Sequence, residues 1–369
     1  MASSRGSSLR RISLLSLLFV YFPIITTYSY SVFGVNAKPI DLPLSTSSSQ
    51  LSKRTARTTA PAGALVVSKS PASGQYSTVQ AAVDALPDDG STQVIFIETG
   101  TYDEQVYIDR SGMLTILGET ANTANYASNV VTITNSLSAT AAGSDDASGT
   151  LRVHKDDFAL YNINVKNTFG QGSQALALSA YGTNHGYYGV GFYSYQDTVL
   201  AEQGAQYYGY CYIEGAVDFI FGQHGFAFFQ RSTIASVGPG TITADGPSEK
   251  GDGLFVINES TIEQSAAATE DLTGLVYLGR PWTEYATYVF VAFTSCTLGS
   301  VINSAGWEIW STSEPNTEDV TFAEYDNGAG SVGTRASFAT KLTSNAGYTA
   351  AAVLGSSWTS WVDQGYVDQ

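Results

Sequence analysis

Apolar positions along most of the chain fall in short runs of strand character. They include Val94 to Glu98, Gln105 to Ile108, Leu114 to Leu117, Val130 to Thr134, Phe158 to Val165 and Leu176 to Leu178, with Gly, Asn, Asp and Thr separating them. Helical periodicity is confined to the ends. Ser77-Thr78-Val79-Gln80 reads as a helix start, with Ser77 as cap and Gln80 closing a capping box. Val79, Ala82, Val83 and Leu86 line one face, and Pro87 with Asp88-Asp89-Gly90 stops the helix. Toward the other end, Arg335 to Gln364, with Ala350-Ala351-Ala352-Val353-Leu354, predicts short helices that cover the far end or one side.

The strand runs repeat. Ser232-Thr233-Ile234 recurs as Ser260-Thr261-Ile262 and more loosely as Ser295-Cys296-Thr297-Leu298, and Ile213 of Cys211-Tyr212-Ile213 lies 21 residues before Ile234. Periods of this length, with longer insertions at one corner, suit the rungs of a solenoid. A β-sandwich would show cleaner hairpin signals, and propeller blades repeat at roughly 40–50 residues. The expected fold is all-β, a parallel β-helix with short capping helices over residues 58–369. The composition agrees: 36 Gly, 23 Tyr and 17 Phe favour strands and turns.

The first residues read differently. Arg5, Arg10 and Arg11 precede an apolar run from Ile12 to Phe22, and Val35-Asn36-Ala37 offers small residues for cleavage, so residues 1–37 are expected to be a secretory signal peptide. Residues 38–57 form a Ser/Thr/Pro-rich pro-segment or linker containing the dibasic pair Lys53-Arg54. Residues 58–369 keep 10 of the 17 basic and 32 of the 33 acidic side chains, so the formal charge moves from −16 for the whole chain to −22. Nucleic acid and anionic membranes are poor partners for such a surface. The expected product is a secreted, extracellular monomer that leaves the membrane with its signal. Cys211 and Cys296 are the only cysteines and lie in strand-like runs, so two buried free thiols are expected. Asn258-Glu259-Ser260 is a glycosylation sequon.

Chemistry-bearing residues concentrate between Gln174 and Gly222. Gln174, Gln196 and Asp218 are spaced by 22 and 22 residues, which as one rung per interval would stack them in a column, with Asp197 beside Gln196. Paired carboxylates beside amide donors suit acyl or glycosyl chemistry. No Gly-x-Ser-x-Gly is present, His154, His185 and His224 show no metal spacing, and no zinc or calcium motif occurs; neither metal nor cofactor is expected. Asp218 stands in Val217-Asp218-Phe219-Ile220-Phe221, an apolar setting where an unpaired charge is costly. Arg280, in Leu278-Gly279-Arg280-Pro281-Trp282, could hold one carboxylate ionised. Taken alone, each of these residues also has a bland reading as a turn aspartate, a surface arginine or a packing tryptophan.

Five motifs in order carry a resemblance. Gly100-Thr101-Tyr102-Asp103-Glu104, Gln174-Ala175-Leu176-Ala177-Leu178, Gln196-Asp197-Thr198, Asp218-Phe219-Ile220-Phe221-Gly222 and Leu278-Gly279-Arg280-Pro281-Trp282 together resemble the pectin methylesterase (pectinesterase) family, carbohydrate esterase family eight. The resemblance spans roughly residues 65–365. It implies a right-handed parallel β-helix and hydrolysis of galacturonic acid methyl esters in pectin. It also implies Asp218 as nucleophile, Asp197 as general acid/base, Gln174 and Gln196 around the oxyanion, and Arg280 as partner of Asp218. Trp282, Trp307 and Phe219 are the implied substrate contacts. Plant members of the family often carry a second cysteine about twenty residues beyond the position of Cys211. This chain has Ser232 there, so no disulfide is expected. Val199 also extends the usual Gln-Asp-Thr-Leu run.

Rival readings use the same scaffold, since fold alone does not set chemistry. A pectin or pectate lyase would need an acidic metal cluster and a basic proton abstractor. A polygalacturonase would need three clustered aspartates, for which Asp156-Asp157 is the only candidate. A secreted glycan-binding β-helix would turn over nothing.

Overall fold

The computed structural model describes residues 55–247, 249–282, 288–328 and 333–367. Strand after strand pairs in parallel with those one turn before and after it, so the chain winds into a right-handed parallel β-helix, nearly all-β. Residues 1–37 and most of 38–57 lie outside the described residues. Arg57 does not: it exchanges main-chain hydrogen bonds of 2.8 and 3.0 Å with Thr120, and its guanidinium reaches Asn162 Oδ1 at 2.7 Å. The folded body therefore begins before residue 58. Among the described residues no helix is long and apolar enough to cross a membrane.

The repeat seen in the sequence is a rung repeat. Ile213, Ile234, Ile262 and Leu298 stack in register on an eight-stranded sheet. The residue before each Cys or Ser of that repeat turns the corner with a left-handed backbone: Tyr210 (φ 55°), Arg231 (48°), Glu259 (48°) and Ser295 (54°). Such a conformation costs about 1–3 kcal/mol for a side chain with a Cβ. It is held because hydroxyls tie rung to rung. Ser232 Oγ accepts from the Cys211 N–H at 3.1 Å and Ser260 Oγ from the Ser232 N–H at 3.0 Å. Inside, Tyr187, Tyr208 and Phe229 stack with centroids 4.7 and 4.4 Å apart, close to the strand spacing of roughly 4.8 Å. One ring per rung thus fills the interior continuously.

Ser232 occupies the position where a second cysteine was considered, and its hydroxyl is used as an acceptor. Cys211 and Cys296 are free and buried, and burial pushes each thiol up to about 12. Native protein should therefore resist a thiol-reactive probe, and denaturation without reductant should label both cysteines. A mass two protons lighter, with no labelling, would contradict this. The sequon residue Asn258 is also engaged, donating to Gln230 Oε1 and accepting from Thr294 Oγ1, both at 2.7 Å.

The ends are closed differently. The N-terminal helix is Val79–Asp84, but its cap is Thr78, which accepts from the Ala81 N–H at 3.2 Å, rather than Ser77. Gln80 makes no capping box. Glu104 instead accepts from the Val79 and Gln80 N–H groups at 2.7 and 2.9 Å, an anion at the positive end of the helix. Buried Val79, Ala82 and Val83 seal the first turn. The C-terminal segment runs along one side: helix Ala350–Leu354 with Trp358, Trp361 and Tyr366 covers Tyr188, Tyr207, Phe228 and Val256 on an outer sheet face.

Candidate active site

Register decides which side chains meet. Leu178 pairs with Val199 and Val199 with Ile220, so a turn here takes 21 residues rather than 22. That single residue re-sorts the expected column. Asp197 and Asp218 occupy equivalent positions on adjacent rungs, each two residues ahead of its pairing strand residue. Gln196 instead bridges to Val217, and the Ala175 N–H donates to the Gln196 carbonyl at 3.2 Å, which leaves Gln174 on the preceding rung. Both aspartates adopt a left-handed backbone, φ 62° and 49°. Neither is glycine, so the strain is retained at the two positions that carry the carboxylates.

Asp218 is 7 % exposed and fully engaged. Arg280 grips it with both ends of the guanidinium fork, Nε to Oδ1 at 2.9 Å and Nη2 to Oδ2 at 2.6 Å. The Thr241 hydroxyl also donates to Oδ1, from the next rung. Arg280 arrives on strand Val276–Pro281, which pairs with Gly240–Asp245. The approach needs Gly279, because a Cβ there would lie 2.1 Å from Thr243 Oγ1. Trp310 completes the arrangement, its ring 4.7 Å from the Arg280 guanidinium carbon.

Asp197 is as buried, at 6 %, but has no arginine fork of its own. Burial, then the neighbouring Asp218, then Asp145 push its carboxyl well above the usual range, against a hydrogen bond from Gln196 and the more distant Arg280 charge. Two stacked carboxyl groups are thus electrically unequal. One accepts from a guanidinium and a hydroxyl, while the other favours its neutral form.

This geometry can be set beside proteins of known kind. The sequence model of the Pectinesterase family matches residues 64–352. A pectinesterase from Aspergillus aculeatus is 53 % identical over 320 residues, covering 84 % of this chain and 94 % of that protein. The chain belongs to the pectinesterase family. An Aspergillus niger pectinesterase is 49 % identical over 85 % of this chain and 94 % of its own. Among solved structures, the A. niger pectin methylesterase superposes with a TM-score of 0.76 at 40 % identity, covering 84 % of this chain and all of that one. The carrot pectin methylesterase gives 0.73 at 28 % identity, over 82 % and 96 %.

Within this pectinesterase, three aromatic expectations part company. Trp282 is half-buried beside the site, meeting Phe221 edge-on at 5.4 Å. It joins an outer apolar strip of Leu176, Leu200, Phe221 and Ala244. Trp307 is 1 % exposed, stacked on Phe322 at 4.4 Å inside the β-helix, and cannot meet a substrate. Phe219 is fully buried and packs against Gly215, where an added Cβ would meet its own Cβ at 2.3 Å. Phe219, just ahead of strand Ile220–Gly222, joins the interior core with Ile220, whereas Phe221 alternates to the outer strip. Trp310, which the sequence reading passed over, is the tryptophan that stands on Arg280. Thr241 and Asp145 were also missed, because only the register brings them to the carboxylates.

The histidines are occupied elsewhere. His185 is buried, its Nε2 is 2.6 Å from the Lys155 carbonyl, and burial pushes it down to about 4. His224 pairs with Asp252 at 2.6 Å. His154 and Ser179 both contact Asp146 Oδ1, at 2.8 and 2.7 Å, so the carboxylate lies between them. A serine triad needs the histidine in that middle place.

Proposed function

We propose that this pectinesterase is a secreted enzyme that removes methyl esters from the galacturonic acid units of pectin, with Asp218 as nucleophile and Asp197 as general acid/base. The observation that carries the reading is the inequality of the stacked carboxyl groups: Arg280 forks onto Asp218 alone, while burial keeps Asp197 protonated. A mutant pectin methylesterase solved with a hexasaccharide is 26 % identical, with a TM-score of 0.67, and supports an oligosaccharide substrate.

The steps follow from that inequality. An Asp218 oxygen attacks the ester carbonyl carbon, and charge collects on the carbonyl oxygen, for which the Gln174 and Gln196 amides are the proposed donors. As the tetrahedral centre collapses, the bond to methoxy oxygen breaks and Asp197 delivers its proton, so methanol departs. The galacturonyl group is left as an anhydride with Asp218. Water then attacks the galacturonyl carbon while Asp197, now a carboxylate, takes its proton. The acid product and free Asp218 result, with Asp197 reprotonated. Trp282 and Trp310 flank the polymer, and nothing in the sequence of steps calls on a cofactor.

Methanol release from methyl-esterified polygalacturonan tests the reading. The expected result is methanol equal to new carboxyl groups. Unsaturated ends would indicate a lyase and new reducing ends a glycosidase, and either without methanol would overturn the proposal. Binding without any product would make the chain a glycan-binding protein.

A further inference from the structure

The face that carries the outer apolar strip holds one more carboxyl group. Along strand Val199–Gly209, Val199 and Ala201 point into the β-helix, Leu200 belongs to the strip, and Glu202 follows on the strip's side. It stands at a bulge: Ala180 pairs with Ala201 but Tyr181 with Gln203, so Glu202 is the extra residue. Tyr181, on that preceding rung, packs against the same strip. Leu200, Phe221, Ala244 and Arg280 form one row across successive rungs. Glu202 and Trp282 each lie two residues beyond a member of that row. They therefore share a second row, three rungs or roughly 14 Å apart.

The chain closes on Glu202 from the next rung. An added Cβ on Gly222 or Gly225 would lie 2.2 or 2.0 Å from the Ala201 carbonyl oxygen, so glycine lets residues 222–225 approach this closely. The Gln223 N–H donates to Glu202 Oε2 at 3.2 Å. Among the described residues only Oε2 is engaged, which leaves Oε1 for a visiting group. Glu202 is 9 % exposed, against 7 % for Asp218 and 6 % for Asp197, and so is as open to a polymer as they are. Burial pushes its carboxyl up to about 7, against the His224 charge and the Gln223 hydrogen bond. Three other titratable groups face it. They are Tyr181, pushed up to about 12 by burial and then by Glu202; His224, paired with Asp252 at 2.6 Å; and the buried Asp245.

We propose that Glu202 is a specificity-determining residue: in the row of Trp282, it tells a methyl-esterified galacturonic acid unit from a free one flanking the ester under attack. An ionised Glu202 repels a galacturonate carboxylate but not a neutral ester. A protonated Glu202 donates a hydrogen bond to that carboxylate. The charge appears as pH rises through about 7, so the preference for esterified neighbours grows with pH. The free acid is also the product of the proposed reaction. Below that pH the protein accepts neighbours it has already de-esterified, and above it they are disfavoured. The inference rests on the proposed function, in which Trp282 flanks the polymer.

The test compares kcat/KM for methanol release from fully methyl-esterified polygalacturonan and from a randomly half-esterified one. Ionic strength is held fixed, at about pH 5.5 and about pH 8. Loss of the Asp197 proton slows both substrates alike and cancels in the ratio. In the wild type the ratio should rise about five-fold between the two pH values. It should stay level in Glu202→Gln, whose amide still accepts from the Gln223 N–H but cannot ionise. Should that protein fail to fold, Glu202→Ala is read the same way. His224→Gln should keep the rise. A level ratio in the wild type, a rise that persists without Glu202, or one lost with His224→Gln would each overturn the proposal. Failure of the proposed function is read separately, since a wild type that releases no methanol refutes it. Calorimetric binding of the same two polymers then gives the ratio without turnover. An affinity ratio that rises with pH only when Glu202 is present supports the discrimination, and a level one overturns it.

Discussion

Asp218→Asn should lower methanol release by about four orders of magnitude or more, the scale seen when a covalent nucleophile is removed. The amide has nearly the shape of the carboxylate, and its oxygen in the Oδ1 place can still accept from Arg280 Nε and from the Thr241 hydroxyl. What it lacks is the nucleophilic oxygen. It also leaves the guanidinium, whose side chain is 23 % exposed, without its counter-charge. Breaking such a pair costs about 3–5 kcal/mol when buried, and less with this exposure, so the melting temperature should fall while the fold persists. Strand signatures in far-ultraviolet circular dichroism would check the fold alongside the assay. Arg280→Lys keeps the charge but offers a single contact in place of a fork, and should give an intermediate loss. A folded Asp218→Asn protein with more than about 1 % of wild-type turnover would show that the nucleophile lies elsewhere.

The fold was legible because a β-helix repeats its own logic. Ile213, Ile234, Ile262 and Leu298 mark the rungs in the sequence as plainly as they stack in space. That Asp218 needs a partner was legible for a different reason, since a lone charge within Val217-Asp218-Phe219 is costly, whereas the choice of Arg280 came from the family resemblance. Register was not. A repeat read as 22 residues puts Gln196 over Asp218, whereas the observed 21 puts Asp197 there, and a slip of one residue changes which side chains share a face. The fate of the aromatics turned on the path of the chain around each rung. Trp307 and Trp310 stand three residues apart, one in the core and the other over Arg280, and nothing in tryptophan's chemistry distinguishes them before the strand path is known. Glu104 at the N-terminal helix was invisible because its partners, Val79 and Gln80, are about a rung away.

Asp197→Asn should leave an enzyme whose defect depends on the alcohol it must expel. Methoxide is too basic to depart unprotonated, so in the proposed mechanism a proton from Asp197 is needed at the moment the carbon–oxygen bond breaks. Burial and the adjacent Asp218 push the Asp197 carboxyl up toward its protonated form, against the charge of Arg280, whose two contacts are both made to Asp218. The sign of the pH effect follows. The acid is competent below its raised pKa, and turnover of methyl esters should fall as pH rises through it. An asparagine amide cannot supply the proton, so methyl ester turnover should drop by about two to four orders of magnitude at every pH, and the alkaline limb due to Asp197 should vanish. Esters of more acidic alcohols need less protonation. Along such a series the Asp197→Asn protein should recover its burst of released alcohol, while the second step remains slow because no carboxylate is left to take a proton from water. The covalent galacturonyl enzyme should then accumulate, detectable by mass as an adduct on the peptide containing Asp218. If instead the loss is the same for every leaving group, Asp197 does not protonate the departing alcohol, and its raised pKa belongs to the strain of two buried carboxyl groups stacked on adjacent rungs.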